Sequence, residues 1–181
     1  MGLGDGYVSF VDSILAALHP EVNIRVLNTG INGHCVTDLE TRWQSDVMDL
    51  SPDWLSVMIG INDVWQQFSN QPEPDQIKIA QYENIYRKLL KQTRHDLKGL
   101  ILMSPYFIEA DPSNLMRKHM DAYSKVVKAL ADEFDALFVD TQAAFDRYLA
   151  HRPAQSLSDD RIHPNRTGHM IIANAFLESI K

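Results

Sequence analysis

A carboxylate and an imidazole stand three residues apart in a polar loop near the end of the chain, as Asp160 and His163. The Asp160 carboxylate could accept a hydrogen bond from the His163 Nδ1–H, fix the ring tautomer and stabilise the imidazolium. His163 could then take a proton from a hydroxyl nucleophile. Two other interpretations stay open. One is a solvated loop before a helix starting at Asn165, and the other is a metal site of Asp159, Asp160, His163 and His169, which no HExxH or Cys/His spacing supports.

Two further loops carry groups suited to binding a negatively charged oxygen. Gly33, in the segment TGINGH, lies in a glycine-containing loop whose backbone N–H groups can approach a ligand closely. Asn62, in GIND, offers a side-chain amide whose fixed dipole suits developing negative charge. Trp65 follows, and it either lines a pocket or covers the core. The open alternatives are a tight turn at Gly33 and ordinary Asn-Asp turn chemistry at Asn62.

The elements predicted around these loops alternate between strand and helix. Short apolar runs predict strands at 23–28, 54–59, 100–103 and 136–139. Apolar residues at helical spacing predict helices at 5–18, 38–49, 75–94, 113–134, 141–149 and 165–180. Thr37 and Glu40 predict a capping box at the start of the second helix. The alternation predicts an α/β fold with a parallel sheet covered on both faces, so that the loops at the carboxyl ends of the strands meet at one edge.

Composition narrows the classes of protein and partner. The 181 residues fit a single domain, and the net charge of −7 argues against a nucleic-acid or anionic-membrane surface. Small neutral or cationic ligands stay open. The single cysteine, Cys35, cannot form an internal disulfide, and neither a membrane span nor a signal peptide is evident, so we expect a cytoplasmic protein.

The loops, in their order along the chain, resemble the sequence blocks of the SGNH hydrolase superfamily, the GDSL-type esterases. Gly33 in NTGING matches the block whose glycine N–H is an oxyanion donor, and Asn62 in GIND matches the block whose amide is another. Asp160 and His163 match the DxxH of the last block, the acid and base of the triad. The segments NTGINGH, DWLSVMIGINDVW and LFVDTQAAF look more particularly like the branch of bacterial acetylxylan and related carbohydrate esterases.

The first block of the family, a GDS motif carrying the nucleophilic serine at the end of strand one, is absent from the printed sequence. Gly4-Asp5-Gly6 imitates it, but no strand precedes Gly4, and Ser9 and Ser13 lie within a predicted helix. The nucleophile therefore stays unassigned. We expect residues 1–181 to form one N-terminally truncated domain of this family, with a three-layer flavodoxin-like sheet of order 2-1-3-4-5 that lacks its central first strand.

The resemblance implies a serine esterase for small acyl esters, with acetyl groups on carbohydrates as the expected substrates, Trp65 as a sugar-binding residue, and no metal or cofactor. Because the serine is missing, we expect the chain as given to be inactive. The rival hypothesis is a non-catalytic carbohydrate- or acyl-binding pseudoenzyme, and a nucleotide-binding or receiver domain is a more distant alternative. Without its first strand the sheet would have a gap at its centre. Either strands 23–28 and 54–59 close on each other across this gap, or a second copy of the chain covers it. The second arrangement predicts a homo-oligomer.

Overall fold

A computed structural model of the chain describes residues 2–69 and 76–181. The strands are β1 (Trp54–Met58), β2 (Gly99–Met103) and β3 (Leu137–Val139). The helices are α1 (Tyr7–Leu18), α2 (Val36–Trp43), α3 (Ile61–Phe68), α4 (Ile79–Thr93), α5 (Leu115–Glu133), α6 (Thr141–Leu149) and α7 (Arg166–Ser179). The strands form one parallel sheet of order β1-β2-β3, which confirms the predicted α/β class. None of the helices in the described ranges is both long and apolar enough to cross a membrane.

The central strand β2 separates two apolar cores. All five of its residues are buried, and side chains alternate between the faces of the sheet. Leu100 and Leu102 belong to one core, together with residues of α2, α4 and α5. Ile101 and Met103 belong to the other, together with residues of α6 and α7. The near-continuous apolar run that predicted this strand therefore reflects burial on both faces.

The predicted first strand is wrong. Residues 23–28 have no regular secondary structure, and in the described part of the chain β1 pairs with β2 alone. The proposed closure of 23–28 onto the 54–59 strand does not occur. An apolar β-branched run becomes a strand only when a neighbouring strand accepts its backbone hydrogen bonds. Here Val22, Ile24 and Leu27 stay exposed, and so does Trp54 at the start of β1, with 53% of its surface accessible.

The N-terminus of α2 differs from the predicted capping box. The helix begins at Val36, and the Cys35 N–H donates to Asp38 Oδ2 at 2.8 Å. Glu40, predicted to cap the helix, instead forms an ion pair with Lys88 at 2.7 Å. A π-helical turn, Gln44–Met48, continues α2 to the end of the predicted helix.

Helix α3 was not predicted, because its sequence after Gly60 looks like turn chemistry. Gly60 is the N-cap and has a φ of +124°, a conformation that side chains larger than glycine rarely adopt. The turn at Gly60 leads directly from the carboxyl end of β1 into a helix that begins at Ile61. The next helix, α4, begins at Ile79, and its predicted start at residue 75 lies outside the described residues.

Candidate active site

The loop before α7 holds the predicted acid and base in contact. His163 Nδ1 lies 2.6 Å from Asp160 Oδ2. The other carboxylate oxygen, Oδ1, accepts hydrogen bonds from the backbone N–H groups of Ile162 and His163 and from the Ser158 hydroxyl. Arg161 has a left-handed φ of +66°, which closes the turn between the two residues. Four donors therefore fix one carboxylate, and that carboxylate fixes one imidazole.

The hydrogen bonds keep Asp160 ionised. Burial alone would raise its pKa, but the backbone N–H groups, the His163 ring and the Ser158 hydroxyl together hold the pKa of Asp160 well below its usual range. An ionised carboxylate only accepts hydrogen bonds, so His163 Nδ1 carries the hydrogen between them. In the neutral ring, Nε2 then has the free lone pair. The side chain of His163 is half exposed, so this nitrogen is placed to act as a base toward a bound molecule.

Hydrogen bonds tie this loop to the segment that follows β2. The Ile108 N–H donates to the Arg161 carbonyl at 2.9 Å, and the Tyr106 hydroxyl donates to the Ile162 carbonyl. Glu109 also forms an ion pair with Arg161. The acid–base pair therefore rests on the carboxyl end of the central strand, where ligand sites of open α/β sheets form.

The two predicted oxyanion donors lie in adjoining segments. Asn62, in the first turn of α3, donates through Nδ2 to the His34 carbonyl at 3.1 Å, one residue beyond Gly33. Gly33 has a φ of +84°, and its N–H has no hydrogen-bond partner within residues 2–69 and 76–181. An amide carries two N–H donors, so Asn62 keeps one for a ligand after orienting itself on His34.

Trp65 connects this region with the acid–base loop. Its ring centroid lies 6.1 Å from that of His163, edge to face, and the indole is partly exposed. Because Trp65 is one helical turn after Asn62, α3 brings the amide and the indole to the same region. The structure thus places all five predicted site residues on two loops and one helix, although their catalytic roles stay predictions.

The metal alternative is not supported by the described residues. His169 lies on α7 with its ring against Gly6, and burial lowers its pKa. Outside the undescribed positions 1 and 70–75, no three His, Cys, Asp or Glu side chains converge as metal ligands would.

Asp63 belongs to the same region, and the sequence analysis assigned it no role. Its side chain is fully buried, Oδ1 accepts from the Val36 N–H at 3.0 Å, and Oδ2 has no hydrogen-bond partner among the described residues. Burial raises the pKa of Asp63 to about 6, and the nearby Asp38 carboxylate adds to that rise. A charged residue directly after a candidate oxyanion donor was the only sequence signal available for it.

Replacing Asp63 by asparagine is expected to change how stability depends on pH. The folded state raises the pKa from 3.8 to about 6, so folding favours the protonated acid. The stabilisation is complete below about pH 4 and is lost as the pH rises through 6. The free energy of unfolding of the wild type should therefore fall, relative to Asp63→Asn, by up to about 3 kcal/mol between pH 4 and 7.

Urea unfolding of both proteins across that pH range measures the difference. Asp135→Asn is the matched control, because the Asp135 side chain is fully exposed and asparagine tolerates its left-handed backbone. The control should keep the wild-type slope. Parallel curves for the wild type and Asp63→Asn would show that Asp63 titrates normally.

Gly168 lies in the first turn of α7 behind the acid–base loop. A Cβ added there would meet the Pro164 ring at 2.5 Å, directly after His163. We expect Gly168→Ala to lower the free energy of unfolding by about 1–3 kcal/mol, since the clash outweighs the helix propensity gained, about 1 kcal/mol. Urea unfolding measures the loss. Gly2→Ala, where a Cβ meets nothing within 4 Å, is the control, and an equal effect of the two substitutions would contradict the packing argument.

Comparison with known proteins assigns the chain to a family. Residues 2–171 match the GDSL-like Lipase/Acylhydrolase family. The chain belongs to this family. The match confirms the SGNH resemblance drawn from the sequence motifs, and the similar proteins include ester hydrolases.

Two relatives share most of the chain. An acetylxylan esterase of Geobacillus stearothermophilus is 47% identical over 179 residues, which span 98% of this chain and 82% of that esterase. Its crystal structure superimposes with a TM-score of 0.94 over 97% of this chain and 80% of its own. LAE5, an alpha/beta hydrolase from the metagenome of Lake Arreo in Spain, is 44% identical with a TM-score of 0.96, covering 97% of this chain and 81% of LAE5.

Solved variants of the Geobacillus esterase identify catalytic residues of that enzyme. Three are described as catalytic mutants, in which a serine, a histidine or an aspartate is replaced by alanine. The aspartate and the histidine are three positions apart in that enzyme, the spacing of Asp160 and His163.

Proposed function

We propose that this chain provides the base, the orienting carboxylate and the oxyanion donors of a serine acetyl-ester hydrolase that acts on acetylated carbohydrates. The observation that carries the proposal is the 2.6 Å contact of His163 Nδ1 with an ionised Asp160, which leaves Nε2 free for a nucleophile. The identity to an acetylxylan esterase supports the acetyl group and the carbohydrate.

The reaction follows from these groups as acyl transfer. A serine Oγ attacks the acetyl carbonyl carbon, and its proton passes to His163 Nε2. The carbonyl oxygen becomes negative and binds the Gly33 N–H and the free N–H of Asn62. As the intermediate collapses, the bond to the sugar oxygen breaks and His163 returns the proton to that oxygen. Water then repeats the attack on the acetyl-serine, and acetate leaves.

The serine is the unassigned part of this scheme. Among the described residues, no serine hydroxyl forms a hydrogen bond with His163. The nearby Ser158 hydroxyl donates instead to Asp160 Oδ1. Ser9 and Ser13 lie in α1, and their hydroxyls donate to backbone carbonyls. We therefore propose that the 181 residues alone hydrolyse acetyl esters slowly or not at all.

Trp65 is the proposed sugar-binding residue. Its partly exposed indole stands edge to face with His163, so a sugar ring bound against it would hold an acetyl ester beside Nε2. Aromatic rings offer large apolar contact area at low entropic cost, which suits the apolar face of a sugar.

A chimera tests the proposal. The leading segment of the Geobacillus esterase, which carries its catalytic serine, is fused ahead of residue 1, and acetate release from acetylated xylo-oligosaccharides is measured. We expect turnover by the chimera and background rates for the chain alone. His163→Ala in the chimera, and alanine in place of the supplied serine, should each abolish turnover.

Two other outcomes decide against parts of the proposal. Hydrolysis by the chain alone that His163→Ala abolishes would show that a nucleophile lies within residues 1–181. An inactive chimera that folds and binds the acetylated sugar would favour the non-catalytic binding protein.

A further inference from the structure

Two neighbouring side chains of α3 bind the backbone of the segment that carries Gly33. Asn62 donates to the His34 carbonyl at 3.1 Å, and Asp63 accepts from the Val36 N–H at 3.0 Å. The two bonds run in opposite directions across two residues of one chain segment. Together they fix both the distance and the rotation of that segment relative to the first turn of α3.

The environment of Asp63 favours a specific role over simple filling of the core. Its carboxylate is fully buried, and Oδ2 lacks a partner in residues 2–69 and 76–181, which is a costly arrangement for an acid. The ionisable groups around it are Cys35, Asp38, Tyr82 and Tyr123, none of them a cation. The compensating interactions are the Val36 N–H, its own backbone N–H and the positive ends of two helices.

The helix geometry explains why a side-chain acceptor lies at this position. Val36 is the first residue of α2, and Asp63 is in the first turn of α3, so the N-termini of both helices converge on this carboxylate. The Asp63 side-chain oxygen accepts a hydrogen bond from the first residue of α2 while Asp63 itself belongs to α3, so one side chain joins the two helix ends. The loop that carries Gly33 leads into α2 at this point. Helix α3, which carries Asn62, begins at the same point after the end of β1.

We propose that Asp63 is a positioning residue of the oxyanion site, which joins the N-termini of α2 and α3 and thereby sets the Gly33 N–H against the Asn62 amide. The inference rests on the proposed function, because it assumes that these two groups bind the oxyanion. Asp63 itself touches no substrate. Its effect is exerted through Val36 on one side and through Asn62 on the other.

Amide NMR of the 181-residue chain tests this without turnover. Asp63→Ala removes the acceptor, Asp63→Asn keeps an oxygen in its place, and Thr93→Ala is the matched control. Thr93, the last residue of α4, is buried and accepts a 2.7 Å hydrogen bond from Trp43 Nε1 at the end of α2 away from Val36, so its loss removes a comparable buried bond. Hydrogen exchange of the Val36 N–H is measured in each protein. Acetate, the product, is titrated while the Gly33 and Asn62 amide signals are followed.

In Asp63→Ala we expect Val36 exchange to be about tenfold faster than in Thr93→Ala at matched global stability, and acetate binding to be about tenfold weaker. Asp63→Asn should recover most of both effects. Unchanged Val36 exchange and acetate binding in Asp63→Ala would overturn the inference, as would equal losses in Thr93→Ala. A wild type whose Gly33 and Asn62 signals ignore acetate would refute the proposed oxyanion site, while Val36 exchange would still decide whether Asp63 joins the two helices.

Discussion

Replacing Arg117 by alanine is expected to lower the free energy of unfolding by about 3 kcal/mol. Only 9% of the Arg117 side chain is exposed, and its guanidinium makes a bidentate pair with Asp146 at 2.9 and 2.7 Å. It also binds Asp121 and the Glu109 carbonyl. Removing it takes a charged donor from two carboxylates and a donor from a carbonyl, and Asp146 keeps only the hydrogen bond from the Gln142 amide. The expected loss lies at the low end for buried pairs because both carboxylates keep partial access to water.

Urea unfolding at pH 7 measures this loss, and Arg87→Ala is the control. Arg87 also contacts two carboxylates, Glu83 and Glu133, but the three side chains are partly exposed. Exposed ion pairs contribute about 1 kcal/mol or less, so the control should lose little. Equal losses at the two arginines would show that burial does not decide their contribution. The result also bears on the site, because the Glu109 carbonyl bound by Arg117 belongs to the residue that pairs with Arg161.

Replacing Asp160 by asparagine is expected to reduce kcat of the chimera by roughly 10⁴-fold with little change in KM. The carboxylate accepts from His163 Nδ1 at 2.6 Å and keeps the lone pair on Nε2. An amide can instead donate to Nδ1, which favours the opposite ring tautomer and removes the base from the side of the nucleophile. Nitrogen NMR shifts of the His163 ring in the 181-residue chain should report the same change of tautomer.

Asp159→Asn is the control for this prediction. It removes a carboxylate from the neighbouring position without touching the ring and should leave both the kcat of the chimera and the His163 ring shifts unchanged. Because its hydrogen bonds keep Asp160 ionised, the pH dependence of kcat should not include a step from Asp160. A loss in Asp160→Asn of less than tenfold would contradict the role of the pair.

The parts of the site that local sequence determines were predictable. Asp160 and His163 are joined within one turn, and the backbone donors that fix Asp160 come from the same four residues. Gly33 needs a left-handed φ, which glycine supplies. The alternation of apolar runs and amphipathic stretches likewise predicted β1, β2 and β3 to within one residue at either end.

Features that depend on distant partners were not predictable. Residues 23–28 have the composition of a strand, yet whether they pair depends on a neighbour that the local sequence does not specify. The α2 cap uses Cys35 and Asp38 because the helix begins at Val36, earlier than predicted, and Glu40 instead pairs with Lys88, 48 residues away. Asp63 binds Val36 across 27 residues, so its local sequence indicated only a turn.

The open edge of β1 has a consequence for the behaviour of the protein in solution. Within the described residues no strand pairs with this edge, and Trp54, Ile24 and Leu27 add apolar surface that is exposed. The net charge of −7 repels approaching copies, and salt screens that repulsion over about 8–10 Å at physiological ionic strength. We therefore expect that raising the ionic strength at constant protein concentration promotes association through this edge, which light scattering would detect.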